Sequence, residues 1–540
     1  MSEASAFDDL IREFFAVWFR FHPDAALWAG FSDYASLLPA QTDDEHAALA
    51  GYLETLIVAL QELNFDALDQ ARRIDLELMF AMARAEHREL LERDWRHRDP
   101  LRFLPLTEVH RLTLLCPSEM RDTLAALLTA IPGHLRLAQA QLQPMAELVP
   151  PVMADAAVIA AEEGRRYLRA LTRSRWLRSR CHSCGELEVL AETAGEALAQ
   201  YRDALNGDIA PRAVGSAGCG ADHLHQLLRH RHLLDVDLSA CGSLLDNLAG
   251  ECDAQFGAGA NPSPAPPSRA LSRAARDALN NACQAMAERL RQADLVTLPP
   301  AALRIACGPV CPRPGDGRVD YVPDLRKGAG ILYLADGDNG CEPALTRAEL
   351  SLRCLHLGWG GAHLLAFAGG MAARSLPRRQ SAGHSLTGGW SLYLDRRLFD
   401  HPDTIADERA AALHRRRRAI ALARTDLAVH CGWIDADTAV ERIRQCSTAG
   451  ANAASDAIRQ VAALVQHPGD ALATVLGWQL IEAAAARHEH AESRLFHDRL
   501  LGLGPIPVSL ALRQGLGAGD WSALRSATGF VGADGDPLAS

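Results

Sequence analysis

Histidines, cysteines and acids recur in this sequence at spacings that could do chemistry. His356 and His363 stand seven apart in LHLGWGGAH (residues 355–363), with Cys354 just before them and His384 further on, and together these groups could build a metal or acid–base site. Seven residues rise ~10.5 Å along a regular helix, so only a break at Gly360-Gly361 would bring both imidazoles to one ion. The competing reading is that the histidines are hydrogen-bonded inside a partly polar cleft, as buried imidazoles often are. Asp426 and His430 lie four apart in RTDLAVHCGW (residues 424–433), on one helix face and within hydrogen-bonding reach. Such a pair is either a substrate-contacting histidine oriented by an acid or a buried pair that holds a helix to its neighbour. Cys181 and Cys184 form a CxxC, and Cys307 and Cys311 a looser pair. A zinc ribbon needs two knuckles at a fixed separation; these are far apart, so unpaired thiols are expected. GHSLTG (residues 383–388) comes near a nucleophile elbow, but its second glycine arrives one residue late for GxSxG and no strand pattern precedes it. The run Arg415 to Arg418 reads as a solvated face or as a partner for Asp407 and Glu408.

Helices must position these groups. Leu187, Leu190, Ala194, Leu198, Tyr201 and Leu205 recur at gaps of three and four, as do Leu271, Ala275, Leu279, Ala282, Met286 and Leu290, and each set predicts one apolar helix face. Strand-like runs are few: Arg304 to Ala306 and Gly330 to Leu334 predict a small sheet in the C-terminal half. AGANPSPAPPSRA, which holds residues 258–270, concentrates proline and small residues and predicts a linker. The expected organisation is a helical region 1–257, the linker 258–270, a second region 271–516 and a loosely packed tail 517–540.

Bulk properties narrow the function classes. A chain of 540 residues is too long for one simple core. A net charge of −12 opposes nucleic-acid binding, and Lys327 is the sole lysine, so lysine-based covalent chemistry is confined to that position. No run approaches the ~20 apolar residues needed to span a bilayer. The start, MSEASAFDDLIREFF, has acids where a secretory signal carries positive charge, and the 13 cysteines are scattered, so a cytoplasmic location is expected.

Ordered blocks resemble a known family. FHPDAALWAGFSDYASLLP (21–39), IPGHLRLAQAQL (131–142), LLRHRHLLDVDLSACGSL (227–244), HLGWGGAH (356–363), GGWSLYLDRRL (388–398), RTDLAVHCGW (424–433), PGDAL (468–472) and FHDRLLGLGPIP (496–507) follow one another as in the bacterial domain of unknown function 885. The resemblance implies a large, mainly α, two-lobed zincin-like fold of gluzincin type with a small sheet, and hydrolysis of a peptide or amide by a zinc-activated water. That chemistry needs three protein ligands, an open position and a carboxylate base.

In the family the zinc helix reads HExxPGHH. Here His356 takes the first-ligand position, Leu357 that of the glutamate base, Ala362 that of the second ligand and His363 that of the following histidine; a one-residue insertion would make His363 the second ligand. Gly388 stands where the family's EGWALY block supplies its glutamate, and Thr474 where a tyrosine follows PGQAL. Asp426 and His430 match the family's DTGIH block, and Trp390 and Tyr393 match aromatic positions that could line the pocket. Base, ligand and tyrosine are lost together, so no zinc or other cofactor is expected.

The resemblance therefore implies a pseudoenzyme whose cleft, lined by Leu357, Trp359, His384, Gly388, Trp390, Tyr393 and Thr474, binds a peptide-like or small-molecule ligand. One alternative is an enzyme of a specialised biosynthetic pathway that uses His356, His363, Asp426 or His430 for acid–base chemistry without zinc. Another is a structural partner of an active paralogue.

Overall fold

The computed structural model describes residues 2–531 apart from 116–118, 182–183, 258–271, 309–318, 325–326, 336–345, 369–374, 402–403, 447–452 and 488–492. Cys311, the expected linker and Leu271 lie outside the described residues.

The fold is mainly helical, as the apolar spacing requires. Helix Gly185–Ala204 buries Leu187, Ala194, Leu198 and Tyr201, and helix Ser272–Ala293 buries Leu279, Met286 and Leu290. Polar caps start the helices where the sequence offers them. Thr42 with Glu45, and Thr346 with Glu349, make reciprocal capping boxes ahead of helices Asp43–Glu62 and Arg347–Arg353. None of the described helices is long and apolar enough to cross a membrane.

A small sheet joins β1 (Ala302–Gly308), β2 (Val319–Asp324) and β3 (Ala329–Ala335) in the order β1-β3-β2, with β1 parallel and β2 antiparallel to β3. β1 and β3 contain the two apolar runs read from the sequence. β2 gives no such run: it is short, it is broken by Pro323, and its proline is tolerated because the strand sits at a sheet edge.

Packing crosses the expected linker. Helix Leu238–Gly257, which precedes it, packs on helix Ala406–His430, which follows it, and helix Pro151–Arg173 packs on Ala453–Gln466. A boundary at 258–270 therefore does not separate one core from another. The tail is also more ordered than expected through Val531. Helix Ala518–Thr528 buries Trp521 and Leu524, Phe530 is buried after it, and Val531 bridges to Val236. Glycines at both ends of this helix (Gly517 and Gly529, φ +84 and +73) mask an apolar pair three residues apart.

A very close helix contact lies between His384–Phe399 and Asp470–Ala485. Glycine permits it: a Cβ on Gly477 would lie 1.8 Å from the Ser385 carbonyl oxygen, and one on Gly389 would lie 2.6 Å from the backbone at Gly477 and Trp478.

Candidate functional site

The LHLGWGGAH segment is broken, as two converging histidines would require. Helix Arg347–Arg353 runs into a π turn, Cys354–Trp359, in which Gly358 is non-helical, and helix Ala362–Phe367 follows. The break does not bring the histidines together. His356 Nε2 lies 2.6 Å from Asp395 Oδ1, and Asp395 Oδ2 lies 2.5 Å from Arg415 Nη1, with the Asp395 side chain fully buried. Burial pushes Asp395 up, but His356 and Arg415 outweigh it and hold the carboxyl below its usual range. Burial, then Arg415, pushes the His356 imidazole down. The neutral ring therefore donates to a carboxylate whose counter-ion is Arg415. His363 is fully buried elsewhere, with Nε2 donating to the Ala301 carbonyl at 3.0 Å and Nδ1 accepting from the Tyr321 hydroxyl at 3.1 Å. Cys354 turns to Cys283, sulfur to sulfur at 2.9 Å.

These residues do not fit zinc. Leu357 and Gly388 offer no donor, and the two histidines are bonded to separate protein partners. Gly388 has no room for a longer side chain either: a Cβ there would meet Thr474 at 2.7 Å, and Thr474 Oγ1 is itself tied to the Asp470 carbonyl at 3.0 Å. Leu357 and Trp359 are half-buried against the main apolar cluster.

Asp426 and His430 form the buried, helix-holding pair. Asp426 accepts from the Gly469 and Leu472 N–H groups at 3.1 and 3.0 Å and so caps helix Asp470–Ala485 from a neighbouring helix. Burial pushes its carboxyl up to about 7 against those bonds. His430 Nδ1 accepts from the Cys219 N–H, Nε2 donates to the Leu464 carbonyl, and burial pushes the ring down to about 4. Trp390 and Tyr393, expected in a pocket, are core residues: Trp390 Nε1 donates to the Gly360 carbonyl at 2.7 Å and the Tyr393 hydroxyl meets His497 Nε2 at 3.0 Å. Arg415 and Arg416 pair with Asp395 and Asp400 instead of Asp407 and Glu408, and Glu408 pairs with Arg289.

A large opening lies elsewhere. A cavity of about 920 Å³ is walled on its N-terminal side by Trp18, Trp28, Trp95, Glu86 and Glu108, and on its C-terminal side by Tyr321, His384 and His467. Of the site residues that the sequence suggests, His384 alone lines it. Most acids on its walls are paired: Asp24 with Arg111 at 2.5 Å, Glu86 with His22 at 3.1 Å, and Asp320 with His110 at 2.9 Å. Glu108 differs, because its Oε2 is shielded from solvent without a hydrogen-bond partner, and burial followed by Asp24 pushes the carboxyl up to about 8. Below His384, the half-buried Asp470 has His232 Nε2 at 3.1 Å from Oδ1, and His384 Nδ1 at 3.5 Å and Arg231 Nη2 at 3.6 Å from Oδ2. Burial opposes ionisation of Asp470, yet Arg231, His384 and His232 hold it well below the carboxylate range.

Residues 247–514, the span that carries the broken helix and His384, match the family described as a bacterial protein of unknown function, DUF885. The chain carries a DUF885 region. Among curated proteins, none matches the sequence. Two solved structures share the whole architecture, so the helices that precede the DUF885 region belong to the same fold. One is "the putative lipoprotein from Colwellia psychrerythraea", 14% identical, with a TM-score of 0.74 over 95% of this chain and 99% of that one. The other is "a putative lipoprotein of unknown function from Shewanella oneidensis", 14% identical, with a TM-score of 0.67 over 96% of this chain and 100% of that one. Much of the cavity wall lies outside the DUF885 region, on the N-terminal helices.

Sequence spacing does not point to Glu108, Asp395 or Asp470, because each meets its surroundings across long chain separations. One signal is present for the first two: an acid inside an apolar run, in LPLTEVHRLTLL and SLYLDRRLF. Glu108 yields a pH prediction. Its folded pKa lies above the ordinary value of 4.5, so the folded state keeps a proton that the unfolded chain releases, and stability falls as pH rises from about 4.5 to about 8. Glu108→Gln should remove that loss, shrinking the drop in unfolding free energy between pH 5 and pH 8 by about 2–4 kcal/mol at ~1.4 kcal/mol per pKa unit. Urea denaturation at the two pH values checks it; an unchanged drop contradicts it.

Proposed function

We propose that this chain is a zincin-like protein that no longer hydrolyses through zinc and uses its cavity to bind a peptide-like or small-molecule ligand. The cavity carries the reading: a space of about 920 Å³ with aromatic and charged walls has the size and mixed lining of a ligand site. The engagement of His356 and His363 by protein partners supports the loss of the metal reaction. The scattered spacing of the cysteines along the sequence favours a cytoplasmic location in this reading, whereas the two structural neighbours are described as putative lipoproteins.

Trp18, Trp28 and Trp95 make occupancy readable by intrinsic fluorescence. A set of tripeptides titrated into the full chain should include members that change this signal saturably, and Ala160→Phe, which fills the cavity from helix Pro151–Arg173, should weaken them at least ~10-fold, or ~1.4 kcal/mol. Equal binding by Ala160→Phe, or no saturable signal with any tripeptide, would sink the reading.

A second reading, an acid–base enzyme without zinc, has an observation in its favour that His356, His363, Asp426 and His430 lack. His384 is exposed to the cavity and backed by the half-buried carboxylate of Asp470.

A further inference from the structure

Outside the broken helix, two side chains able to move protons line the same cavity in different surroundings. His384 opens helix His384–Phe399, its side chain is 53% exposed, and it lines the cavity. Its Nδ1 lies 3.5 Å from Asp470 Oδ2, the upper edge of hydrogen-bonding distance and within the looseness common before substrate binds. With Nδ1 directed to the carboxylate, Nε2 is the nitrogen left to take a proton. Arg231, His232 and His384 stand around the Asp470 carboxylate at 3.6, 3.1 and 3.5 Å, so its charge lies beside the ring. On the N-terminal wall, Glu108 presents a carboxyl whose Oε2 has no hydrogen-bond partner and no solvent contact.

We propose that the cavity is a metal-independent acid–base site for acyl ligands, in which His384 is the catalytic base, Asp470 its positioning residue and Glu108 the proton donor. His384 Nε2 takes a proton from water, and the water oxygen bonds to the ligand's carbonyl carbon. As the bond from that carbon to the leaving group breaks, Glu108 gives its proton to the leaving group. His384 then returns its proton to solvent and Glu108 regains one, so a single water is consumed. The retained proton on Glu108 at neutral pH and the ionised Asp470 are the states these roles require, and environments that push two acids in opposite directions mark such divisions of labour. The proposal rests on the cavity being a ligand site, and it moves the acid–base reading away from His356, His363, Asp426 and His430.

The test uses the full chain with a chelator present and two esters, p-nitrophenyl acetate and phenyl acetate, which differ in how much help the leaving group needs. His384→Gln should lower kcat/KM for both esters by ~10²-fold, the usual contribution of a general base. Asp470→Asn should lower kcat and leave KM near the parent value, a split that a loss of folding alone would not give. Glu108→Gln should slow phenyl acetate, the poorer leaving group, at least ~10-fold and leave p-nitrophenyl acetate nearly unchanged. Equal rates in the parent chain and His384→Gln would overturn the base, and equal slowing of both esters by Glu108→Gln would overturn the acid. Absence of turnover by the parent chain would overturn the whole proposal. Tryptophan fluorescence measured with the same esters separates the outcomes, because saturable quenching without turnover leaves the binding reading standing.

Discussion

Asp395→Ala is expected to destabilise the fold by about 3 kcal/mol, because it strips a buried charge of its partner. The carboxylate is fully buried and answers two groups at once, His356 at 2.6 Å and Arg415 at 2.5 Å. Without it, the Arg415 guanidinium and the His356 ring lose their acceptor in a low-dielectric setting. Arg415 keeps 35% of its side-chain exposure and can turn to water, which is why the expected loss sits at the lower end for a broken buried pair. Asp395→Asn preserves the shape and one acceptor and should cost about half as much. The sign with pH follows from the depressed carboxyl. The stabilisation is present above its ordinary value of 3.8 and is lost as pH falls through the lower folded value, so the stability gap between parent and Asp395→Ala should begin to narrow below about pH 4 and be smaller at pH 3 than at pH 7. Chemical denaturation at pH 7 and pH 3 measures both; a variant as stable as the parent at pH 7 would refute the role assigned to His356.

Gly477→Ala should be at least as damaging, about 3 kcal/mol or more, although it adds a single methyl group. The added carbon would fall 1.8 Å from the Ser385 carbonyl oxygen, a backbone atom that no rotamer change can move away. Relief requires helices His384–Phe399 and Asp470–Ala485 to separate, and these two helices carry His384, Trp390, Thr474 and Asp470 on or beside their crossing. The variant should therefore lose thermal stability and also loosen the His384–Asp470 pair. Gly515→Ala, whose Cβ meets nothing within 4 Å, serves as the control and should differ little from the parent. Comparable melting temperatures for the two variants would contradict the packing argument.

The helices, the linker's neighbours and two of the three strands are legible in the sequence because their signal is local: apolar spacing within one segment. The candidate site is legible only in outline. Residues of LHLGWGGAH and GGWSLY point to one place in the fold, and the structure has the break at the glycines, yet the partners that decide what His356 and His363 do are Asp395, Ala301 and Tyr321. No spacing rule reaches those partners. Trp390 and Tyr393 illustrate the same limit from the other side: an aromatic on a motif reads alike whether its ring faces a pocket or, as here, the core. His384 stands in the sequence as a bystander of LHLGWGGAH and in the fold as the one suggested site residue on the cavity, beside Gly383, Asp470 and the crossing of two helices. The histidine cluster at Asp470 joins residues 231, 232, 384 and 470, which only the folded chain brings together.

The most direct measurement is the zinc content of the full chain after dialysis against zinc, for the parent, His356→Ala and His363→Ala. The separate engagement of the two histidines predicts no stoichiometric zinc that depends on either. One zinc per chain, lost in both variants and accompanied by chelator-sensitive dipeptide cleavage in the parent, would contradict the proposed loss of zinc hydrolysis.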